Sequence, residues 1–181
     1  MRILSFPFDA VPDELRSQVT DLWARAWGDP SGHDPVLGPV SMLLLDGDTV
    51  VAALDILGKE IDHGGQRYVA GGLSTVVTRE DSRGQGHGKR LVAEARVAMS
   101  RGYDLGLFTC DVPLRPFYES AGWRTLPGTV LVGGTPSAPF PSDQPGFDKV
   151  TMGDFFSPRV DRAAFENARI ELYPGEIDKL W

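Results

Sequence analysis

The chain has 181 residues, with 18 Lys and Arg against 25 Asp and Glu, and a formal net charge of −7. This acidity argues against nucleic acid or an anionic membrane as a partner and is compatible with a cationic ligand. The length suits one domain, so we expect residues 1–181 to form a single domain. The single Cys excludes an internal disulfide, and the chain lacks a long apolar run, so we expect a cytoplasmic protein.

The first part of the chain predicts a strand over 2–8, then a helix and a loop. The helix should begin after Pro12 and end at Gly28, because proline suits a helix start and glycine a helix end. Its apolar positions recur at helical spacing, and they are Leu15, Val19, Leu22, Trp23 and Ala26. Residues 28–39 are dense in Gly and Pro and predict a loop. Taken singly, Asp29, His33 and Asp34 in this loop are interpreted as turn formers.

Three antiparallel strands should follow, over 40–45, 49–62 and from Tyr68 onwards. The third leads into a glycine-rich turn with the sequence Arg83-Gly84-Gln85-Gly86-His87-Gly88. A helix then presents one apolar face, formed by Leu91, Val92, Ala95, Ala98 and Met99. Glycines allow close approach of the backbone to a ligand, and free N–H groups at a helix start favour an anion. The turn therefore predicts a site for a phosphate-bearing cofactor.

Three kinds of phosphate-binding turn can be compared with this sequence. A P-loop needs glycine and then Ser or Thr where the chain has Arg83 and Arg90, so it is excluded. A dinucleotide site needs G-x-G-x-x-G, whereas the glycines here are spaced G-x-G-x-G; Asp111 could still bind a ribose, so this alternative stays open. Three successive strands before the turn argue against it. The third pattern, [Q/R]-x-x-G-x-[G/A], is matched by Arg83, Gly86 and Gly88.

The second half of the chain predicts more strands and one short helix. A strand over 104–111 follows a helix and should be parallel to the central strand. A short helix over 116–121 should end at Gly122, and a strand should start at Trp123. Further predictions are strands over 129–132 and 150–156, a long Pro/Gly loop over 133–146, and a partly helical segment over 159–172.

These motifs resemble the GCN5-related N-acetyltransferases (GNAT), which bind acetyl-CoA. The resemblance is carried by Arg83-x-x-Gly86-x-Gly88 and, about 30 residues on, by Tyr118 and Gly122-Trp123. It implies an α/β (α+β) fold, with a mixed, mostly antiparallel central sheet flanked by helices and splayed strands at the acetyl-CoA site.

A closer resemblance is to the aminoglycoside 2′-N-acetyltransferases. The similar features are the Ala26 to Asp29 break after the first helix, V-x-R-x-D-x-R-G-Q from Val77 to Gln85, the tyrosine-bearing helix, a Pro-rich hairpin with an acid, and the terminal Trp181. That family has a catalytic glutamate where this chain has Ser74. A serine cannot act as a base by itself, although it can hold a water molecule.

The resemblance implies roles for individual residues. Backbone N–H groups near Val76 and Thr78 would polarise the thioester carbonyl, and Val76, Val77 and Thr78 would all contact the cofactor. The pyrophosphate would be bound by Arg83, Gly84, Gln85, Gly86, His87, Gly88 and Lys89. Tyr118 would protonate the leaving thiolate. Three routes remain for the amine proton: a water on Ser74 or Thr75 that relays to an acid, the loop residues Asp29 or Asp34, or the carboxylate of Trp181.

The acceptor would be a small cationic amine, such as an aminoglycoside, facing an acidic rim formed by Asp29, Asp34, Asp143 and the terminus at Trp181. Alternatives are another amine (a polyamine, small metabolite or peptide amine) or a non-catalytic acyl-CoA-binding module. We expect no metal, because the three histidines lack ligand spacing. Cys110 is expected to be a buried thiol. The oligomeric state stays open, with a homodimer among the alternatives.

Overall fold

The computed structural model describes residues 1–28, 32–175 and 178–181. Its strands in chain order are β1 (Arg2–Pro7), β2 (Val40–Asp46), β3 (Thr49–His63), β4 (Gln66–Thr78), β5 (Leu105–Asp111), β6 (Arg124–Thr125), β7 (Val130–Thr135), β8 (Ala138–Pro141), β9 (Lys149–Phe155) and β10 (Arg169–Glu171). The helices are α1 (Asp13–Trp27), α2 (His87–Met99) and α3 (Arg115–Ser120). Short 3₁₀ turns occupy Phe8–Ala10, Pro35–Leu37, Glu80–Ser82, Val112–Leu114 and Arg162–Phe165.

Seven strands form one sheet in the order β1-β2-β3-β4-β5-β9-β6, and three form a second sheet in the order β10-β7-β8. Within the large sheet only the β4–β5 pair is parallel. The predicted fold class, a mixed and mostly antiparallel sheet flanked by helices, is therefore confirmed. No helix in the described ranges has both the length and the apolar character needed to cross a bilayer.

Side chains alternate between the two faces of the large sheet, and each face has its own core. On β2, Leu43 and Leu45 pack with the α1 residues Val19, Leu22 and Trp23. Met42 and Leu44 face the other way, in the core that contains the α2 residues Leu91, Val92, Ala95 and Met99. The apolar stripes predicted for both helices are therefore the faces that bury, as amphipathic helices on a sheet require, except that Ala26 at the end of the α1 stripe is exposed.

Several predicted boundaries are wrong. The segment 133–146 is not all loop, because β7 continues to Thr135 and β8 pairs back onto it. Pro139 and Pro141 are tolerated there because β8 is an edge strand that need not donate N–H groups on both sides. The segment 159–172 contains only one 3₁₀ turn and then β10. Helix α2 begins at His87, inside the glycine-rich turn, with Gly86 left-handed at its N-cap.

Strands β4 and β5 separate soon after they meet. They pair only at Ala70–Leu105 and Gly71–Gly106. Beyond these pairs β4 runs on to Thr78 and β5 to Asp111 without pairing to each other. Each strand keeps its outer neighbour, β3 and β9 respectively. The sheet therefore opens into a gap between two central strands.

Candidate active site

The end of β4 and helix α3, which follows β5, border a cleft of about 850 Å³. Nine of the ten residues predicted to bind the cofactor line it, namely Val76, Val77, Thr78, Arg83, Gly84, Gly86, His87, Gly88 and Lys89. The tenth, Gln85, lies in the same turn, where its side-chain amide donates to the backbone oxygen of Asp81. The structure thus brings the predicted turn and the predicted strand end together at one cleft.

The glycine-rich turn brings the start of α2 against the end of β4. Gly84 and Gly86 have φ of +77° and +81°, a region that disfavours other residues. A Cβ on Gly88 would lie 2.6 Å from Thr78 Oγ1 and 3.4 Å from the Phe117 ring. Only glycine fits this contact without displacement. The first N–H groups of α2, which have no partner within the helix, are thereby held at the cleft.

A bulge in β4 controls where its backbone N–H groups point. Ser74 pairs with Asp55 of β3, and Val77 pairs with Ala53, so two residues of β4 face one residue of β3. Thr75, within this bulge, has φ of +50°, which costs a β-branched residue about 1–3 kcal/mol.

Beyond the bulge, the N–H of Arg79 donates to Val51 of β3. Backbone direction alternates along a strand, so Val77 also faces β3. The N–H of Thr78 therefore faces away from β3, toward the gap, and Val76, within the bulge, lines the same cleft. A backbone donor at the gap is suited to polarise a carbonyl oxygen.

Tyr118 lies on the opposite wall of the cleft. Helix α3 positions it, and its ring packs edge-on against Phe108 of β5 and Phe117, with centroids 5.0 and 4.9 Å away. Burial, reinforced by Cys110 and Asp111, raises the pKa of the Tyr118 hydroxyl above its ordinary value. The phenol therefore keeps its proton at neutral pH. Among the described residues this hydroxyl has no hydrogen-bond partner, so its proton is available to a bound molecule.

The end of α1 adds residues that the sequence did not predict. Arg25 and Trp27 line the cleft, and the Trp27 side chain is 56% exposed. Together with Arg83 and Lys89, Arg25 makes the cleft locally cationic in a protein of net charge −7. A local positive field of this kind favours a phosphate-bearing ligand. The sequence feature that could have indicated this contribution is the presence of Arg25 and Trp27 in the last turn of α1.

Three residues from distant segments meet beside the bulge. His33 Nδ1 lies 2.7 Å from Asp178 Oδ1, and His33 Nε2 lies 3.1 Å from Asp55 Oδ2. The three side chains are 3%, 9% and 1% exposed, respectively. Asp55 also accepts hydrogen bonds from Ser41 and Thr75. The interpretation of His33 as a turn former is therefore wrong, since it is buried between two carboxylates. Below, the Asp-His-Asp cluster means Asp55, His33 and Asp178.

The chain end packs on the central strand next to this cluster. A Cβ on Gly72 would overlap the Trp181 indole, and Lys59 Nζ lies 4.9 Å from the indole centroid. Residues two apart face the same side of a strand, so the indole lies on the side of the sheet that carries the Ser74 side chain. Cross-strand neighbours also share a face, so Asp55 lies there as well.

The predicted acidic rim is only partly assembled. Asp29 lies outside the described residues. The Asp34 side chain accepts from the N–H of Val36, which is the contact of a turn former. Asp143 is exposed and paired with Arg169 at 2.9 Å, so its charge is compensated. Asp55 and Asp178, which the sequence did not single out, are the acids that lie beside Ser74 and the chain end.

The protonation of His33 should make stability depend on pH. Although burial opposes it, the hydrogen bonds and charges of Asp178 and Asp55 raise the pKa of His33 from 6.5 to about 9. Among the residues that the structure describes, Lys59 and Asp34 also lie near the cluster. Because the folded pKa exceeds the unfolded one, the stabilisation is complete below pH 6.5 and is lost as pH rises through about 9. We expect the wild-type melting temperature to fall by several degrees over this window.

A variant pair tests this assignment. In thermal melts without ligand, His33→Asn should lack the alkaline decrease, whereas His87→Asn, at the cleft, should keep it. If the melting temperature of His33→Asn falls as much as that of the wild type from pH 6.5 to 9, another group is responsible for the decrease.

Gly72→Ala should release the chain end. The added Cβ would overlap the Trp181 indole, which must then leave its site. We expect faster amide hydrogen exchange in the peptide that ends at Trp181, measured by mass spectrometry. Gly102→Ala is the matched control, since a Cβ there meets no atom within 4 Å. Unchanged exchange in Gly72→Ala would contradict the described packing.

Cys110 on β5 is 5% exposed, which confirms the predicted buried thiol. Burial raises the pKa of its thiol to about 11. The thiol is thus protonated at neutral pH, and a thiol rather than a thiolate is a poor nucleophile.

Solved structures with the same fold include several N-acetyltransferases. Escherichia coli ElaA superposes with a TM-score of 0.61 at 16% identity, covering 84% of this chain and 99% of that one. The aminoglycoside 6′-N-acetyltransferase from Enterococcus faecium superposes with a TM-score of 0.56 at 18% identity, covering 89% of this chain and 100% of that one. A chain of the NatC complex bound to Gag peptide and CoA superposes with a TM-score of 0.57 at 15% identity, covering 86% of this chain and 99% of that one. At these identities the likeness shows the fold.

The sequence itself identifies the family. No curated protein sequence matches the chain. The family model described as "Acetyltransferase (GNAT) domain" matches residues 8–126, which span α1, the central strands, the glycine-rich turn and Tyr118. The chain therefore belongs to the GNAT family of acetyl-CoA-dependent N-acetyltransferases.

Proposed function

We propose that this enzyme transfers the acetyl group of acetyl-CoA to a primary amine of a small cationic acceptor, with the 2′-amino group of an aminoglycoside as the first candidate. The observation that carries the proposal is the gap between β4 and β5. Val76 and Thr78 line the cleft on the side of β4, and Tyr118 lines it on the side of α3.

The residues of the cleft fit acetyl-CoA. The first N–H groups of α2, with Arg83 and Lys89, would hold the pyrophosphate. Phe117 and Trp27 offer apolar surface for the rest of the molecule. Bound there, acetyl-CoA supplies a thioester that an amine can attack. The N–H groups of Val76 and Thr78 would stabilise charge on the carbonyl oxygen, and Tyr118 would donate its proton to the departing sulfur.

The preference for a cationic acceptor rests on charge. The net charge of −7 attracts polycations, although the cofactor cleft itself is cationic. Asp55 and Asp178 add buried negative charge beside the partly exposed Ser74. Among proteins of this fold, one is named for an aminoglycoside substrate and another is bound to a peptide. Because Ser74 replaces the glutamate of the resembled 2′-N-acetyltransferases, another amine is the second candidate.

Release of CoA thiol from acetyl-CoA tests the acceptor. The informative pair is two aminoglycosides that differ at position 2′, one with an amine and one with a hydroxyl. Turnover of the 2′-amino compound alone would support the first candidate. Turnover of both would show acetylation at another amine. Turnover only of polyamines or short peptides would overturn the aminoglycoside assignment and support the second candidate.

A further inference from the structure

Transfer to an amine needs a proton acceptor as well as a proton donor, because alkyl ammonium groups are charged at neutral pH. Ser74 offers no base. We propose that Asp55 takes the proton of the acceptor amine through the hydroxyl of Thr75, while His33 and Asp178 hold Asp55 in position. This inference rests on the proposed function and adds the missing proton acceptor to it.

Thr75 is the link between the gap and the buried cluster. Its Oγ1 donates to Asp55 Oδ2 at 2.5 Å, and the residue is partly exposed although β4 is a central strand. A hydroxyl that donates its hydrogen keeps lone pairs that can accept another. Thr75 adjoins Val76, which lines the cleft. An amine bound beside Val76 would therefore have, one residue away along β4, a hydroxyl already bonded to a carboxylate.

The backbone at Thr75 supports a special role. Its left-handed φ of +50° is unfavourable for a β-branched side chain, and glycine or asparagine would adopt it more readily. The strained conformation lies within the bulge, where the regular pairing of β4 with β3 is interrupted. Strain of this kind persists where the surrounding structure enforces it, and it concentrates at functional positions.

Burial and shared partners hold Asp55 in place. Two carboxylates, Asp55 and Asp178, share one histidine, so the cluster has a net charge of −1 when His33 is protonated, with the Lys59 ammonium nearby. All three side chains are at least nine-tenths buried, so they have little freedom to move. Ser41 and His33 fix the carboxylate of Asp55 against the Thr75 hydroxyl.

The proton transfers balance as follows. The ammonium proton bonds to Thr75 Oγ1 while the hydroxyl's own proton moves to Asp55 Oδ2. The amine lone pair freed by this transfer forms the N–C bond to the acetyl carbonyl carbon. The C–S bond breaks, and the thiolate takes the Tyr118 proton. The excess proton on the newly bonded nitrogen passes to solvent and leaves the neutral amide, Tyr118 takes a proton from solvent, and Asp55 releases its proton to solvent, so one proton is released overall.

Thr75→Val and Thr75→Ser form the test pair. Valine keeps the branched shape and the backbone strain but lacks the hydroxyl, whereas serine keeps the hydroxyl. With ethylamine, methoxyethylamine and trifluoroethylamine as probes, we expect kcat in Thr75→Val to fall about 10²-fold for ethylamine. Thr75→Ser should stay near the wild-type rate. The deficit of Thr75→Val should shrink for the less basic amines and at higher pH, because those amines need less help to lose a proton.

Two measurements other than turnover accompany the rates. Calorimetric affinity for acetyl-CoA and the melting temperature should show that Thr75→Val is folded and binds the cofactor. Equal rates in the wild type, Thr75→Val and Thr75→Ser would overturn the relay and leave the proposed function intact. A loss of kcat in Thr75→Val that is the same for every amine and at every pH would also overturn the relay. Loss of packing alone would lower kcat in this uniform way. Absence of wild-type turnover with these amines and also with aminoglycosides, polyamines and short peptides would overturn the proposed function, and the relay with it.

Discussion

Tyr118→Phe is expected to lower kcat about 10²- to 10⁴-fold while the affinity for acetyl-CoA stays unchanged. The substitution removes only the hydroxyl. The ring contacts with Phe108 and Phe117 remain, so the wall of the cleft keeps its shape. Without the phenolic proton the sulfur must leave as a thiolate, which raises the barrier of the chemical step rather than weakening binding.

Tyr103→Phe is the matched control for that substitution. Tyr103 is half-buried and contacts Gly58 and Gly71 on the central strands, away from the residues that line the cleft. Its hydroxyl should be dispensable for turnover. Steady-state rates and calorimetric affinities of the two variants separate the outcomes. Wild-type kcat in Tyr118→Phe would show that another group protonates the sulfur.

Gly88→Ala is expected to weaken acetyl-CoA binding about tenfold, or ~1.4 kcal/mol. Gly88 is helical, so alanine by itself would favour α2 by about 1 kcal/mol. The new Cβ would however lie 2.6 Å from Thr78 Oγ1. Either the start of α2 or the end of β4 must move, and both line the cleft. The predicted result is a helix of undiminished stability with a poorer anion site.

Gly102→Ala serves again as the control, because its Cβ meets open space. Titration calorimetry with acetyl-CoA should show wild-type affinity for this variant. An affinity for Gly88→Ala equal to that of the control would mean that the contact between α2 and β4 does not shape the cofactor site.

Local patterns made the fold and the cofactor side of the cleft predictable. The glycine spacing before α2 and the apolar stripe of the helix depend on neighbours within about ten residues, and the structure reproduces both. The short helix that carries Tyr118 was predicted because its end at Gly122 is also a local signal, whereas the role of Tyr118 was inferred from the family resemblance. The edge strand β8 was missed because prolines suggested a loop, and only the second sheet explains why they are tolerated.

The acids beside Ser74 were not predictable in the same way. Asp55 is a charged residue in the middle of an apolar strand. Because a buried charge needs partners, this position was the feature of the sequence that could have indicated a polar cluster. Its partner His33 lies 22 residues away, and His33 contacts Asp178 across 145 residues. Only the tertiary fold brings these segments together. Interpreting each residue by its neighbours alone made His33 a turn former.

A single-turnover experiment tests the central claim most directly. Excess enzyme is mixed with acetyl-CoA and a pool of small primary amines, and products are followed by mass spectrometry together with free CoA thiol. The account predicts one N-acetylated amine for each CoA released, and a much slower reaction in Tyr118→Phe. Acetyl-CoA that binds but stays intact in the presence of all the amines would contradict catalysis and indicate an acyl-CoA-binding module.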